Sequence, residues 1–198
     1  MAERDSPPVS RGFVPFDRQR TEELLGMLDV RLRDRGVAAS VYVVGGAAIA
    51  LTVNDARRTA DIDAVVSHQA VMEEATALAV AEGLPPHWLN QNAKPWIPPR
   101  PRAARSRPKQ PGLVIHVAPP EHLLAMKLVA LRRQDIADIL DLVNQLGMAH
   151  EPPSAFADLL EAVYTGEGLL AQVLGVKEDD ARAEACSIGE WVLRAAST

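Results

Sequence analysis

Asp61 and Asp63 flank a single isoleucine at the end of the stretch VVGGAAIALTVNDARRTADID, residues 43–63. In a strand, residues i and i+2 point the same way, so the two carboxylates stand side by side on one face. Like charges this close leave one group protonated unless a cation neutralises both. A divalent metal is the usual resident, and Mg²⁺ favours a few carboxylates completed by waters and substrate phosphates. Gly45 and Gly46 fit the same chemistry. Without a Cβ the backbone can approach a phosphate closely, and amides at the start of a following helix can donate to it. Each motif alone is weak: a Gly-Gly pair is most often a tight turn, and Asp-Ile-Asp is often strand-end polarity or capping. Their order carries the specificity, because strand, Gly-Gly, helix, then strand with Asp-x-Asp is an arrangement for holding a metal-bound triphosphate.

The elements that must position these residues follow from periodicity. SVYVV (40–44) and IDAVV (62–66) read as strands, with AAIALTV (47–53) as a short helix between them. Ahead of them, residues 17–35 place Leu24, Leu25, Leu28 and Leu32 at helical spacing, stopped by Gly36. Residues 68–82 predict a helix ending at Gly83. Eight prolines between Leu84 and Gly112 remove so many amide donors that a long exposed loop is expected, with room for a short strand. LVIHV (113–117) predicts a third strand, and Pro119–Pro120 open a helix whose buried stripe holds Leu124, Leu128 and Leu131. A further helix, DIADILDLVNQL, takes Asp135 as N-cap and Gly147 as its C-terminal stop. From 153 onward the chain predicts helices broken near Gly166 and Gly175. Residues 1–16, with three prolines, read as an irregular lead-in. Strands alternating with helices, then helices alone, give an α/β core with a helical C-terminal part. The expected division is 1–118 and 119–198.

The chain has 198 residues, 47% hydrophobic and 24% charged, which is a globular composition able to bury a core. No apolar stretch approaches the ~20 residues that span a bilayer. The first residues, MAERDSPPVSRG, lack the apolar core of a signal peptide, and a single cysteine, Cys186, leaves neither an internal disulfide nor a cysteine-based zinc site. A cytoplasmic protein with no membrane association is the expectation. The net charge of −5 conceals an asymmetry: Gly83 to Pro120 contains no acid and six cations, leaving −11 for the rest. Those cations are Lys94, Arg100, Arg102, Arg105, Arg107 and Lys109. Such a strip, with Trp88 and Trp96 available to stack on bases, suits the backbone of an RNA or an acidic protein partner. It suits a solvated loop equally.

The stretch VVGGAAIAL…RRTADID resembles the signature of the polymerase-β-type nucleotidyltransferase superfamily, with a gap slightly longer than the usual dozen residues. HWLN (87–90), GLVIHVAPPEHLLAMKLVALR (112–132) and DIADILDLV (135–143) extend the likeness to the AbiEii/MenT-like bacterial nucleotidyltransferases, and among these to DUF6036-type proteins. The resemblance covers about residues 40–147. It implies an α/β (α+β) fold, a minimal nucleotidyltransferase core on a small mixed sheet followed by helices. It places Asp61 and Asp63 as the metal-binding pair and Gly45 and Gly46 as the phosphate-facing turn. Arg58 and Thr59 match the element before the aspartates, where a hydroxyl can contact a phosphate. Lys127 matches a lysine expected at the triphosphate, and Asp135 and Asp138 match acidic positions of an Arg-Asp-x-x-Asp element. Relatives in the AbiE and MenT systems act as toxins of toxin–antitoxin pairs, some moving nucleotides to tRNA 3′ ends.

On spacing alone Lys127 reads as a surface residue at the rim of an apolar stripe. Lys127 and Asp138 are eleven residues apart, ~16 Å along an unbroken helix, so a bend near Arg133–Gln134 is required to bring both to one site. A third carboxylate, common in the superfamily on a later strand, is missing: LVIHV offers His116 and no acid. The second metal is then weakly held, or Asp138 substitutes, or a single metal binds. The combined reading is a Mg²⁺-dependent enzyme moving an NMP from an NTP to an acceptor hydroxyl, foremost an RNA (tRNA) 3′ end. Asp61, Asp63, Lys127 and Asp138 form its catalytic set, and a cognate antitoxin is a further partner. A small-molecule or protein acceptor, or a non-catalytic nucleotide- or partner-binding module, are the alternatives.

Overall fold

Asp17 opens the first helix, α1 (Arg18–Asp34), by accepting a hydrogen bond from the Arg20 amide at 2.8 Å. Leu24, Leu25, Leu28 and Leu32 all face inward, the stripe that their spacing predicts. This computed structural model describes residues 14–106 and 108–196. Most of the expected irregular lead-in (1–16) and Arg107 of the basic strip therefore lie outside the described residues.

The sheet has the order β3–β2–β1–β4. Its centre is β1 (Ala38–Val44), buried from Ala39 onward. On one side β1 pairs antiparallel with β2 (Ile62–Val66), in the register that sets Val44 opposite Asp63. On the other it pairs parallel with β4 (Gly112–Val117). Helix α2 (Gly45–Thr52) starts at the residue after β1 ends, and α3 (Ala70–Glu82) stops at Gly83, which takes φ +64°. Small residues let α2 lie close to the sheet: Ala47, Ala48, Ile49 and Ala50 are all buried.

The proline-rich stretch is less exposed than its composition predicts. It contains the two-residue strand β3 (Leu89–Asn90), parallel to β2, a 3₁₀ turn over Lys94–Trp96 and the one-turn helix α4 (Arg102–Arg105). Trp88, expected to be free for stacking, is fully buried; its indole N–H donates to the Ala75 carbonyl at 2.9 Å, and Phe16 packs edge-on against its ring. The apolar body and polar edge of Trp88 are both consumed by the core.

Helices α5 (Pro120–Ala130) and α6 (Ile136–Gln145) are joined by a sharp reversal. Leu131 ends α5 at φ +43°, the one non-glycine residue with positive φ among those described, and Arg132 returns to extended backbone. The bend comes two residues before the Arg133–Gln134 expected from sequence. Left-handed backbone costs a branched residue roughly 1–2 kcal/mol, and Leu131 is exposed, so little packing opposes a smaller residue. Leu131→Gly should therefore leave the melting temperature unchanged or raise it by a few degrees, where an ordinary Leu→Gly change would lower it. The last helices, α7 (Pro153–Val163), α8 (Leu169–Leu174) and α9 (Ala181–Ala196), pack together, and Gly189 of α9 approaches so closely that a Cβ there would lie 2.7 Å from the Pro153 carbonyl of α7. Among the described residues no helix is long and apolar enough to cross a membrane.

Candidate active site

The end of β1 and the start of β2 meet at the floor of a cleft of about 480 Å³. Gly45 forms the turn between β1 and α2 at φ +65°, and a Cβ on it would sit 3.1 Å from Asp63 Oδ2. Backbone conformation and close approach both demand glycine here. A Cβ on Gly46 would sit 2.9 Å from Thr59 Oγ1, so the second glycine is seated against the segment that carries the aspartates. The Thr59 hydroxyl donates to the Asp61 carbonyl at 3.0 Å, and its backbone pairs with Phe16. Thr59 thus ties the glycine turn to the Asp-x-Asp strand.

Asp61 and Asp63 both line the cleft, and neither forms an ion pair with a described residue. Asp61 Oδ2 accepts from the Asn90 side chain at 2.9 Å. Burial, then the neighbouring charge of Asp61, push the Asp63 carboxyl up to about 6, against the pull of Arg132, Lys127 and the Ala93 amide. A carboxyl raised first by burial and then by a second carboxylate, with no ion-pair partner among the described residues, leaves room for a cation between the two. The donor set therefore fits a hard divalent cation. Among the described residues no cluster of three or more metal-ligating side chains is present, so protein ligands would number two, the remainder being water and substrate. A cation must displace the proton on Asp63. Divalent-metal affinity should accordingly fall about tenfold for each pH unit below 6, a dependence that calorimetry at pH 5, 6 and 7.5 would read.

The strand beside β2 is β3, not the LVIHV strand in which a third carboxylate was sought. In parallel register Asp63 faces Asn90, and His116 lies across the sheet beside Tyr42. Asn90 is buried, with its amide committed to Asp61 and its carbonyl accepting from the Asn92 N–H. A neutral amide orients Asp61 without adding a third negative charge, which lowers the site's attraction for a second cation.

The bend at Leu131 brings Lys127 of α5 onto the carboxylates of Asp135 and Asp138, at 2.5 and 2.7 Å. Asp135 precedes α6 but does not cap it with its side chain; that carboxylate is spent on Lys127. Asp138 also takes Arg57, whose Nε and Nη2 donate at 2.7 and 3.2 Å. Burial would raise the Asp138 carboxyl, but the hydrogen bonds from Arg57 and Lys127 hold it below its ordinary value. The result is a quartet of two cations and two anions, enclosed except at the half-buried Arg57. Its members Arg57, Lys127 and Asp135 line the cleft.

Arg58 lies elsewhere: it is exposed and points to Asp17 at 3.7 Å. Arg57 lines the cleft in its place. Residues 57–61 precede β2 and, apart from the single bridge of Thr59 to Phe16, are not strand, so period-2 alternation does not reach Arg57 and no sequence signal singles it out over Arg58. Arg132, Gln134 and Asn92 also line the cleft without having been singled out. Trp96 lines the opposite wall, 43% exposed, with its carbonyl held by the Tyr164 hydroxyl at 2.8 Å. Among the described strip residues, Lys94, Arg100, Arg102, Arg105 and Lys109 form no ion pair with a described residue. Arg20, Arg31, Arg35 and Arg182 elsewhere on the surface all do. The strip residues lie outside the cleft lining.

No curated protein and no solved structure matches the chain. A family model described as a nucleotidyltransferase of unknown function matches residues 23–150, which include β1, the glycine turn, both aspartates and the α5–α6 reversal. The chain belongs to this nucleotidyltransferase family, DUF6036.

Proposed function

We propose that the protein transfers an NMP from a Mg²⁺-bound NTP to the 3′ hydroxyl of an RNA, foremost a tRNA, and serves as the toxin of an AbiEii/MenT-like toxin–antitoxin pair in the cytoplasm. The observation that carries the reading is the uncompensated Asp61–Asp63 pair set against a glycine turn whose Cβ position is 3.1 Å from Asp63 Oδ2. Asp61 and Asp63 would hold the metal, and Gly45 and Gly46 leave their backbone open to the phosphates. Bound there, Mg²⁺ supplies charge neutralisation for the departing pyrophosphate and lowers the pKa of the attacking hydroxyl. The acceptor oxygen forms a bond to the α-phosphorus as the bond to the β-phosphate oxygen breaks; pyrophosphate leaves with the electron pair, and the hydroxyl proton passes to water. Among the described residues no histidine lines the cleft, and the His122 Nδ1 lies 3.0 Å from the Tyr42 hydroxyl. Trp96 offers a face for a base to stack on. The unpaired Arg100, Arg102, Arg105 and Lys109 favour an acceptor with a phosphate backbone over a small hydroxyl compound. An antitoxin protein covering this strip would block the acceptor.

The test is incubation of each α-labelled NTP with Mg²⁺ and total tRNA. Label on RNA, weakening steeply between 50 and 200 mM salt, is expected. Label on no RNA would remove RNA as the acceptor, and transfer insensitive to salt would favour a small-molecule hydroxyl.

A further inference from the structure

We infer that Arg132 is the residue that grips the β- and γ-phosphates of the nucleotide, an inference that rests on the Mg–NTP reading above. Among the described residues three cations line the cleft: Arg57, Lys127 and Arg132. Two are already matched. Lys127 is held by Asp135 and Asp138, and Arg57 by Asp138, so the quartet brings two positive and two negative charges and presents no net charge to a ligand. Lys127 is also nearly enclosed, its side chain 11% exposed. A phosphate reaching Lys127 would have to displace a carboxylate hydrogen-bonded in low dielectric, which is costly. Arg57, more open, already spends Nε and Nη2 on Asp138 and Nη1 on the Arg58 carbonyl. Arg132 has no such partner: it is exposed, forms no ion pair among the described residues, and faces the same space as Asp61 and Asp63.

Charge balance then points one way. A divalent cation offsets the two aspartates, leaving the several negative charges of a triphosphate to be met by what remains, and Arg132 is the unmatched cation of the cleft. A guanidinium suits the task, since its planar fork can donate two parallel bonds to phosphate oxygens. A second, independent observation concerns the backbone. Leu131, immediately before Arg132, holds φ +43° with its side chain exposed. Strain of this kind persists where the surrounding structure enforces it, and it gathers at ligand clamps. Here the left-handed residue ends α5 and turns the following residue, Arg132, to the rim of the cleft. The triphosphate tail would thus lie between the glycine turn and the α5–α6 reversal, with the quartet as a rigid backing.

Equilibrium titration of the full chain with Mg–tripolyphosphate and with each Mg–NTP tests this, using wild type, Arg132→Ala and Arg132→Lys. The expected result is that wild type binds Mg–tripolyphosphate and at least one Mg–NTP. Arg132→Ala should weaken both about tenfold, equivalent to about 1.4 kcal/mol, at an unchanged melting temperature. Arg132→Lys, keeping the charge and losing the fork, should fall between. Wild-type binding of Mg–NTP that Arg132→Ala leaves intact would overturn the assignment of Arg132 and leave the Mg–NTP reading standing. Failure of wild type to bind any Mg–NTP would overturn both. A loss in Arg132→Ala accompanied by a lowered melting temperature would make Arg132 a structural residue and overturn the assignment as well.

Discussion

Asp63→Asn should abolish nucleotidyl transfer while making the protein more stable. An amide in place of Asp63 removes half of the metal-binding pair, and loss of that charge stabilisation should lower the rate at least about a thousandfold. Stability moves the other way because the native carboxylate is itself unfavourable. Its pKa is about 6 in the folded protein against an ordinary 3.8, so the folded state binds the proton more tightly than the unfolded chain. The sign follows: the penalty is absent below about pH 4, grows as pH rises toward 6, and is fully present above it. A separation of roughly two pH units corresponds to about 3 kcal/mol. Thermal melts at pH 7.5 should place Asp63→Asn several degrees above wild type, with the gap closing near pH 4. Saturating Mg²⁺ should shrink the gap from the wild-type side, since the cation relieves the same repulsion. Asp61→Asn should match the loss of activity, with the Asn90 hydrogen bond to position 61 retained by the new amide oxygen.

Asp138→Ala should have the opposite character, lowering stability before it touches chemistry. Asp138 is almost fully buried and accepts from Arg57 and Lys127 together. Its removal leaves Arg57 without its carboxylate partner and Lys127 with Asp135 alone. Breaking a buried ionic network by deleting one partner costs about 3–5 kcal/mol, which for a chain of this size is a fall of about 10 °C in melting temperature. Lys127→Met should fall comparably by stranding Asp135, and the double variant Lys127→Met/Asp135→Asn should recover part of the loss. The depressed Asp138 pKa means that its contribution is present above the ordinary carboxylate pKa and lost only in stronger acid. Asp63 and Asp138 therefore answer acid in opposite senses. A pH series of melts on both variants separates the metal-binding pair from the cleft wall.

Much of this arrangement is legible in the chain itself. The glycine turn and the strands around it follow from period-2 alternation and from residues that permit close approach; the two aspartates share the cleft although Asp61 lies just before β2. Arg57 was not legible, because residues 57–61 lie before β2 and follow no strand alternation; Arg58, matched by resemblance, points to Asp17. Strand order was not legible. LVIHV is the stronger strand by composition, yet two residues, Leu89 and Asn90, form the neighbour of β2. So short a segment carries no periodicity and is placed by the burial of Trp88 beside it. The reversal that unites Lys127 with Asp138 was required by distance, but its position was not. Leucine is poorly suited to left-handed backbone, yet Leu131 adopts it with its side chain exposed. Arg132 escaped notice for the same reason, since on a continuous helix it would have been one more solvated charge.

The claim on which everything else depends is that Asp61 and Asp63 together hold a divalent cation. Titrating the full chain with Mn²⁺ at pH 7.5, and following free Mn²⁺ by electron paramagnetic resonance, counts that site directly. The expected result is one saturable site in wild type that is absent from Asp61→Asn/Asp63→Asn and about tenfold weaker in wild type at pH 5. Equal Mn²⁺ binding by wild type and the double variant, or none by either with and without NTP, would contradict it.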